Sequence, residues 1–333
     1  MSSNETSSLE LVCPAGTPAA LREAVEAGAD AVYCGFRNET NARNFPGLNF
    51  SRDELREAIA FAHRHQAKVL VAINTFPRAS DPAPWKDAVN CAAGLGADAV
   101  ILADLGLLAY TAEEHPDLRV HLSVQAGATN AEAISFYVET FSVKRVVLPR
   151  VLSIPEIARL NRIVSCETEV FVFGGLCVME EGRCSLSSYA SGKSPNMSGV
   201  CSPASHVSYK EQNGLFLSRL GDFAIDRVPK GEPLGYPTLC KGKFKTRLGT
   251  GHIFEDPISL DAQLLLPELR RSGVSALKIE GRQRGRAYIR TVVGAFRKAV
   301  DALDRGETAS GNELIGLAEG QSGTCGAYLK TWR

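Results

Sequence analysis

Four of the nine cysteines in this 333-residue chain, Cys177, Cys184, Cys201 and Cys240, share one segment with the spacing C-x6-C-x16-C-x38-C. Thiolates are soft donors that hold zinc or iron–sulfur centres, and either centre requires only that the ligands converge in space. The spacing is too open for a zinc ribbon, which pairs its cysteines as CxxC. Three readings follow: a four-thiolate zinc site, an iron–sulfur cluster, or a set of inert buried thiols. Cys240 sits in Gly235-Tyr-Pro-Thr-Leu-Cys-Lys-Gly242, a turn-rich context that gives hydrophobic burial little purpose and makes metal ligation the better account. Cys13, Cys34, Cys91 and Cys166 lie in or beside apolar segments and read as packing, as does Cys325 near the end of the chain.

Polar residues at the ends of expected strands form a second constellation. Asn41 and Arg43 follow the second strand, Asn74, Asp104, Gln125 and Arg150 follow later ones, and Lys278, Glu280 and Arg282 surround the last. Guanidinium groups gathered at one mouth make a fork for a carboxylate or another anion. Glu280 and Arg282 share the inward parity of their strand, where a charge needs a partner; they can pair with each other or serve a ligand. The candidate catalytic residues are therefore Glu280, Arg282, Arg43 and Arg150. The six histidines are scattered, with neither HExxH nor GxSxG nearby, so nothing argues for a zinc peptidase or a serine hydrolase.

The elements that must position these residues repeat. Leu9 to Gly16 reads as a strand, Thr17 to Gly28 as a helix with Thr17 as N-cap and Pro18 in the first turn, and Ala29 to Gly35 as a second strand. Helix Arg52–Arg64 leads to strand Lys68–Asn74, helix Trp85–Leu95 to Ala97–Ala103, and helix Leu105–His115 to Arg119–Gln125. Helix Ala131–Phe141 leads to Val143–Leu148, and helix Ile154–Ile163 to Glu169–Phe173. Even the wording recurs, as Ala27-Gly-Ala-Asp-Ala-Val and Leu95-Gly-Ala-Asp-Ala-Val. The rhythm breaks between Ser185 and Ser272 and resumes with an eighth strand, Gly273 to Arg282, and a helix from Ala287 to Leu303. Eight βα units predict a (β/α)8 TIM-like barrel with its site on the loops after the strands; a doubly wound open sheet is the rival. The expected divisions are 1–184 for the first seven units, 185–272 for an insertion, 273–310 for the eighth unit and 311–333 for a tail.

Composition is that of an ordinary soluble protein, with 44% hydrophobic residues. Thirty-seven basic residues balance thirty-seven acidic ones, so charge gives no reason to expect a nucleic-acid partner. The opening residues have no apolar core of a signal peptide and no run approaches the ~18–20 apolar residues of a membrane span, which predicts a cytoplasmic chain whose cysteines stay reduced.

The run from Glu169 to Ser187, with its Phe173-Gly-Gly-Leu-Cys177 and Gly182-Arg-Cys184-Ser-Leu-Ser187 pieces, resembles the signature of the collagenase-like peptidase family. It departs only at Gly175, where that signature more usually has Ser or Ala. Longer runs, among them Thr40-Asn-Ala-Arg-Asn-Phe-Pro-Gly-Leu-Asn-Phe50, Val147-Leu-Pro-Arg-Val-Leu-Ser153 and Lys278-Ile-Glu-Gly-Arg-Gln-Arg284, resemble the branch of that family that serves ubiquinone biosynthesis. The resemblance implies a [4Fe–4S] cluster on Cys177, Cys184, Cys201 and Cys240, two of them carried by the insertion, and oxygen-independent hydroxylation of a ubiquinone precursor ring. It further implies a heterodimer with a homologous subunit, a sterol-carrier-like lipid carrier, and prephenate as the suspected hydroxyl donor. Other members hydroxylate RNA bases, and a peptidase is the reading that the family name suggests.

Overall fold

Local sequence sets the first βα unit. In a computed structural model describing residues 8–177, 184–232, 234–307, 314–318 and 322–329, β1 (Glu10–Pro14) runs into Ala15-Gly16. The Thr17 hydroxyl then accepts the Ala20 amide at 3.1 Å and starts α1 (Pro18–Glu26), with Pro18 in the first turn. The unit repeats through β2 (Ala31–Cys34), α2 (Arg52–Arg64), β3 (Lys68–Ile73), α3 (Ala83–Gly94) and β4 (Ala99–Leu102). It continues through α4 (Leu105–Glu114), β5 (Val120–Leu122), α5 (Ala131–Phe141), β6 (Arg145–Val147), α6 (Ile154–Asn161) and β7 (Glu167–Gly175). Ser51 and Glu54 cap α2 reciprocally, and Asp104 and Asn130 cap α4 and α5, so the polar residues between strand and helix mark where each helix begins. Asp104 is thereby used as a cap, its carboxylate accepting from the Leu107 amide at 2.9 Å.

After β7 the chain leaves the barrel. Helices α7 (Ser185–Ser191) and α8 (Pro195–Ser198) precede a three-stranded antiparallel sheet of β8 (Val207–Gln212), β9 (Leu215–Leu220) and β10 (Phe223–Pro229). A hairpin of β11 (Lys243–Thr246) and β12 (Gly249–His252) follows. These pieces share a small core of Leu220, Ile225 and Leu239, flanked by Leu186, Phe223 and Phe244. The chain then returns: β13 (Ser259–Asp261) pairs antiparallel with the end of β7, and α9 (Leu266–Arg271) leads to β14 (Ala276–Ile279) and α10 (Arg286–Asp304). The last part of the 185–272 segment therefore belongs to the barrel wall. In the tail, β15 (Gly323–Thr324) adds to β13.

Strands β1 to β7 are parallel neighbours in sequence order, and β14 pairs with both β7 and β1. Eight parallel strands thus close into a TIM-like barrel, which excludes the open doubly wound sheet. Strand alternation divides the apolar residues in two. One set, including Leu11, Val69, Val100 and Val146, packs under the helices; the other, including Val12, Ala31, Leu70 and Ala99, fills the barrel interior. Cys13 and Cys34 are buried, and Cys91, Cys166 and Cys325 pack half-buried against the outer core. The fifth strand is shorter than the Arg119–Gln125 expectation. Ser123 accepts the Gln125 amide at 3.3 Å and bends the chain into a tight turn at Val124–Ala126.

At the strand-start end, the barrel interior is charged. Arg145, buried on β6, places its guanidinium 3.0 Å from Glu10, 2.6 Å from Glu167 and 3.2 Å from Glu169. Glu169 is fully buried and also takes Lys278 at 2.6 Å. Beside them burial, followed by the charges of Arg145 and Arg119, keeps His121 neutral by holding its pKa well below the ordinary value. Removing one partner of such a network leaves an unmatched charge in the interior, at a cost of about 3–5 kcal/mol. Glu169→Ala is therefore expected to lower unfolding free energy by about that amount in chemical denaturation; a loss below about 1 kcal/mol would show that Glu10 and Glu167 suffice as counter-charges.

Candidate functional site

The mouth is shaped by close approach of backbone. Gly174, near the end of β7, has φ +119, and a β-carbon there would lie 2.7 Å from Cβ and 2.8 Å from the carbonyl oxygen of Glu280. Only glycine lets the two chain segments meet. The contact has a polar purpose, because the Gly175 amide donates to Glu280 Oε2 at 3.3 Å. Gly199 (φ +76) does the same for the insertion: a β-carbon would lie 2.5 Å from the Asn41 carbonyl oxygen, so the insertion is seated on the loop that follows β2.

Of the four candidate catalytic residues, the fold brings all to one cavity at the strand ends, together with Tyr33 and Gln125. Glu280 and Arg282 do not pair with each other. Glu280 faces Arg43, Oε1 to Nε 3.7 Å, whereas Arg282 donates from Nη1 to Asn41 Oδ1 at 3.1 Å. Asn41 in turn donates to the Phe36 carbonyl at 2.6 Å, and Arg43 Nη1 donates to the Ala42 carbonyl at 2.8 Å. Asn74 accepts the Ala42 amide at 3.0 Å and donates to the Ser123 hydroxyl at 3.3 Å. The β2 loop is thus held by the ends of β14, β3 and β5.

Two aromatic rings carry the cations. The Arg150 guanidinium lies 3.5 Å from the centroid of Phe171; the Lys278 ammonium and the Arg282 guanidinium lie 3.9 Å and 5.7 Å from that of Tyr33. Such stacking fits cations in a desolvated space. These rings escape a reading that looks only for polar residues, although their alternation with Glu169 and with Gly35 on inward positions is the signal that could find them.

Burial would raise the Glu280 carboxyl, but Arg43 and then Arg150 outweigh it and hold it below the usual carboxylate range. Burial lowers Arg150 and brings Arg282 down to about 10, whereas at Arg43 it is overcome by Glu280 and by the thiols of Cys201 and Cys177, so the cation is strengthened. Gln125 is buried, and its Oε1 has no hydrogen-bond partner among the described residues. The cavity therefore offers cations for an anion and an acceptor for a hydroxyl or N–H.

The cysteines gather beside this mouth. Cys177 follows β7 by two residues and is exposed. Cys184 Sγ accepts the Ser187 amide at 3.4 Å, and the Ser187 hydroxyl donates to the Cys201 carbonyl at 2.5 Å. Cys240 lies in the tight turn Leu239–Lys241, packed on α7. Burial raises Cys201, and the charges of Cys177 and Cys184 raise it further while Arg43 opposes them; burial, then Cys177 and Cys201, push Cys240 up to about 11. Segments far apart in sequence thus bring Cys201 within electrostatic reach of Cys177 and Cys184, and Cys240 within reach of Cys177 and Cys201. Among the described residues no three His, Cys, Asp or Glu side chains close around a single ion, and residues 178–183, between Cys177 and Cys184, lie outside the described residues. Thiols are the donor type of soft metal centres, iron–sulfur clusters included.

A family model described as peptidase family U32 matches residues 16–321. The "tRNA hydroxylation protein P" of Escherichia coli (strain K12) is 31% identical over 331 residues, covering 93% of this chain and 72% of that protein. The "23S rRNA 5-hydroxycytidine C2501 synthase" of the same strain is 29% identical over 90% of this chain and 41% of its own length. The "Collagenase" of Porphyromonas gingivalis (strain ATCC BAA-308 / W83) is 25% identical over 89% of this chain and 66% of its own.

The geometry separates two kinds of arginine. Arg43 reaches into the cavity, whereas Arg282 also ties down Asn41. Arg43→Lys keeps the charge and loses the planar fork; it is expected to weaken dicarboxylate binding, measured calorimetrically with malonate, by about tenfold or more, the equivalent of ~1.4 kcal/mol. Unchanged affinity would place Arg43 on the rim, outside the anion site.

Proposed function

This chain belongs to peptidase family U32, and from that premise we propose that it is a UbiU-like subunit of an oxygen-independent hydroxylase acting on the ring of a ubiquinone precursor. Relatives named for tRNA hydroxylation and for 5-hydroxycytidine synthesis in 23S rRNA support hydroxylation as an activity of the family. The observation that carries the reading is a cavity walled by Arg43, Arg150 and Arg282, in which Arg43 is within electrostatic reach of Glu280 on one side and of the Cys201 and Cys177 thiols on the other.

In this reading Cys177, Cys184, Cys201 and Cys240 hold a [4Fe–4S] cluster, which when bound supplies one-electron transfer, since four thiolates leave no open coordination position for Lewis-acid chemistry. Arg43 and Arg150 bind the carboxylates of an oxygen donor such as prephenate, and Gln125 accepts a hydrogen bond from its hydroxyl. Glu280 orients Arg43 and offsets part of the positive charge at the mouth, leaving the rest for the anionic donor. Phe171 and Tyr33 back the cations with apolar faces that exclude water. A UbiV-like homologous subunit and a UbiT-like lipid carrier complete the assembly that the resemblance implies, the carrier because the precursor is strongly apolar.

A peptidase fits less well. No histidine lines the cavity among the described residues, and its one serine, Ser123, is engaged by the Asn74 amide; a hydrolytic serine needs a base in that position. Hydroxylation of RNA is the reading the relatives' names favour, but the balance of 37 basic and 37 acidic residues provides no general attraction for a polyanion.

The deciding experiment removes the chain from a host grown without oxygen and measures both ubiquinone intermediates and RNA hydroxylation by mass spectrometry. Accumulation of an unhydroxylated quinone precursor is expected; loss of a hydroxylated nucleoside with normal ubiquinone would overturn the ubiquinone reading. In protein purified under nitrogen, Cys240→Ala should lose iron, sulfide and activity, while Cys91→Ala should cost only ordinary core stability of about 1–3 kcal/mol. Equal effects at the two positions, or one zinc per chain in place of iron, would refute the cluster assignment.

A further inference from the structure

The hairpin β11–β12 and the turn before it are strongly basic. Lys241, Lys243, Lys245 and Arg247 follow one another at alternate positions, and from residue 233 to residue 254 the chain has no acidic side chain. Pairing sets Lys243 opposite His252 and Lys245 opposite Thr250, so both lysines share one face of the ribbon, and Lys243, Lys245 and Arg247 are all exposed. At the tip Leu248 is fully exposed, at 101%. The turn that presents it is built: the Thr246 hydroxyl donates to the Gly249 carbonyl at 3.0 Å and accepts the Leu248 amide at 3.1 Å. Ile253, past the other strand, is also exposed.

The base of this finger is joined to the cysteine site. The Glu255 amide donates to the Cys240 carbonyl at 3.2 Å, and the His252 ring meets the Lys241 carbonyl at 3.1 Å. An aliphatic tip held out by a fixed turn and ringed by cations matches the chemistry of an anionic bilayer surface, where lysine and arginine meet lipid phosphates and a leucine enters the acyl boundary. RNA would use the cations but has no use for the aliphatic tip. The hairpin's aromatic ring, Phe244, is half-buried edge-on against Phe254 at 6.1 Å and is not presented for base stacking.

We propose that the β11–β12 hairpin is a docking finger for an anionic membrane surface, which inserts Leu248 between lipids with Lys243, Lys245 and Arg247 on their phosphates. The inference rests on the quinone-precursor reading above, because it is a bilayer-borne apolar substrate that gives docking beside Cys240 its purpose.

The test is flotation of the cluster-loaded complex, under nitrogen, with vesicles of phosphatidylethanolamine and phosphatidylglycerol or of phosphatidylcholine alone. Binding is expected to the anionic vesicles, about tenfold weaker to the neutral ones or in about 0.5 M salt. Leu248→Ser and the triple change Lys243→Glu, Lys245→Glu, Arg247→Glu should each weaken it by about tenfold or more. In both variants hydroxylation of a short-tailed, water-soluble precursor analogue should be unchanged while that of bilayer-embedded precursor falls. Absence of vesicle binding by the unaltered complex, equal binding by both variants, or a loss confined to binding of a transfer-RNA probe would overturn the docking role. Failure of the unaltered complex to hydroxylate the soluble analogue would instead count against the hydroxylase reading, with vesicle binding judged separately.

Discussion

Charge inside the barrel has to be matched residue by residue, and much of the site follows from that constraint. Arg145, Lys278 and Arg282 are buried, and a cation held in a low-dielectric interior persists only beside an anion, an aromatic face or a set of acceptors. Glu169 answers Arg145 and Lys278 together. Glu280 answers Arg43. Arg282 has the Asn41 amide oxygen and the Tyr33 ring. Because each counter-group comes from a different strand or loop, satisfying the charges also fixes how the strand ends stand relative to one another.

The same matching divides the barrel along its axis. Toward the strand starts, Glu10, Glu167 and Glu169 are each shared between Arg145 and a second cation, Lys68, Arg119 and Lys278 in turn, a network suited to rigidity. Toward the strand ends a single carboxylate, Glu280, stands among three guanidinium groups, those of Arg43, Arg150 and Arg282. A mouth with surplus positive charge attracts an anion, and catalytic groups in a TIM-like barrel belong at that end. Lys278 joins the two regions: its ammonium is bound by Glu169 below and faces the cavity above.

The insertion depends on the barrel as much as the barrel's chemistry depends on it. Its own core is small, with Leu220, Ile225 and Leu239 as the buried members, and a core of that size gives limited stability alone. Two contacts anchor it: Gly199 against the β2 loop, and β13 returning along β7. Binding a cluster through Cys177 at the barrel's edge and Cys201 and Cys240 in the insertion would add a third anchor, which couples metal loading to the order of this region.

Apolar alternation and caps such as Thr17, Ser51 and Asn130 are local properties, so the βα rhythm and the number of strands are legible along the chain itself. The inward parity of Lys278, Glu280 and Arg282 is local as well, and the four cysteines stand out by type and by their turn-rich surroundings. Pairing is not legible, because it depends on which strand ends become neighbours after closure. Glu280 and Arg282, two residues apart, could as well have bonded to each other; the barrel instead brings Arg43 and Asn41 from more than two hundred residues away. The fifth strand ends early because Ser123 captures the Gln125 amide, a hydrogen bond that competes with the ladder, and that turn places Gln125 in the cavity. Nor does the sequence distinguish Asp104, taken up by a helix cap, from Arg150, laid on Phe171, since both stand at strand ends of the same kind. Local order in this chain is written in propensity and capping; the site is decided by long-range electrostatic partners that only the closed barrel brings together.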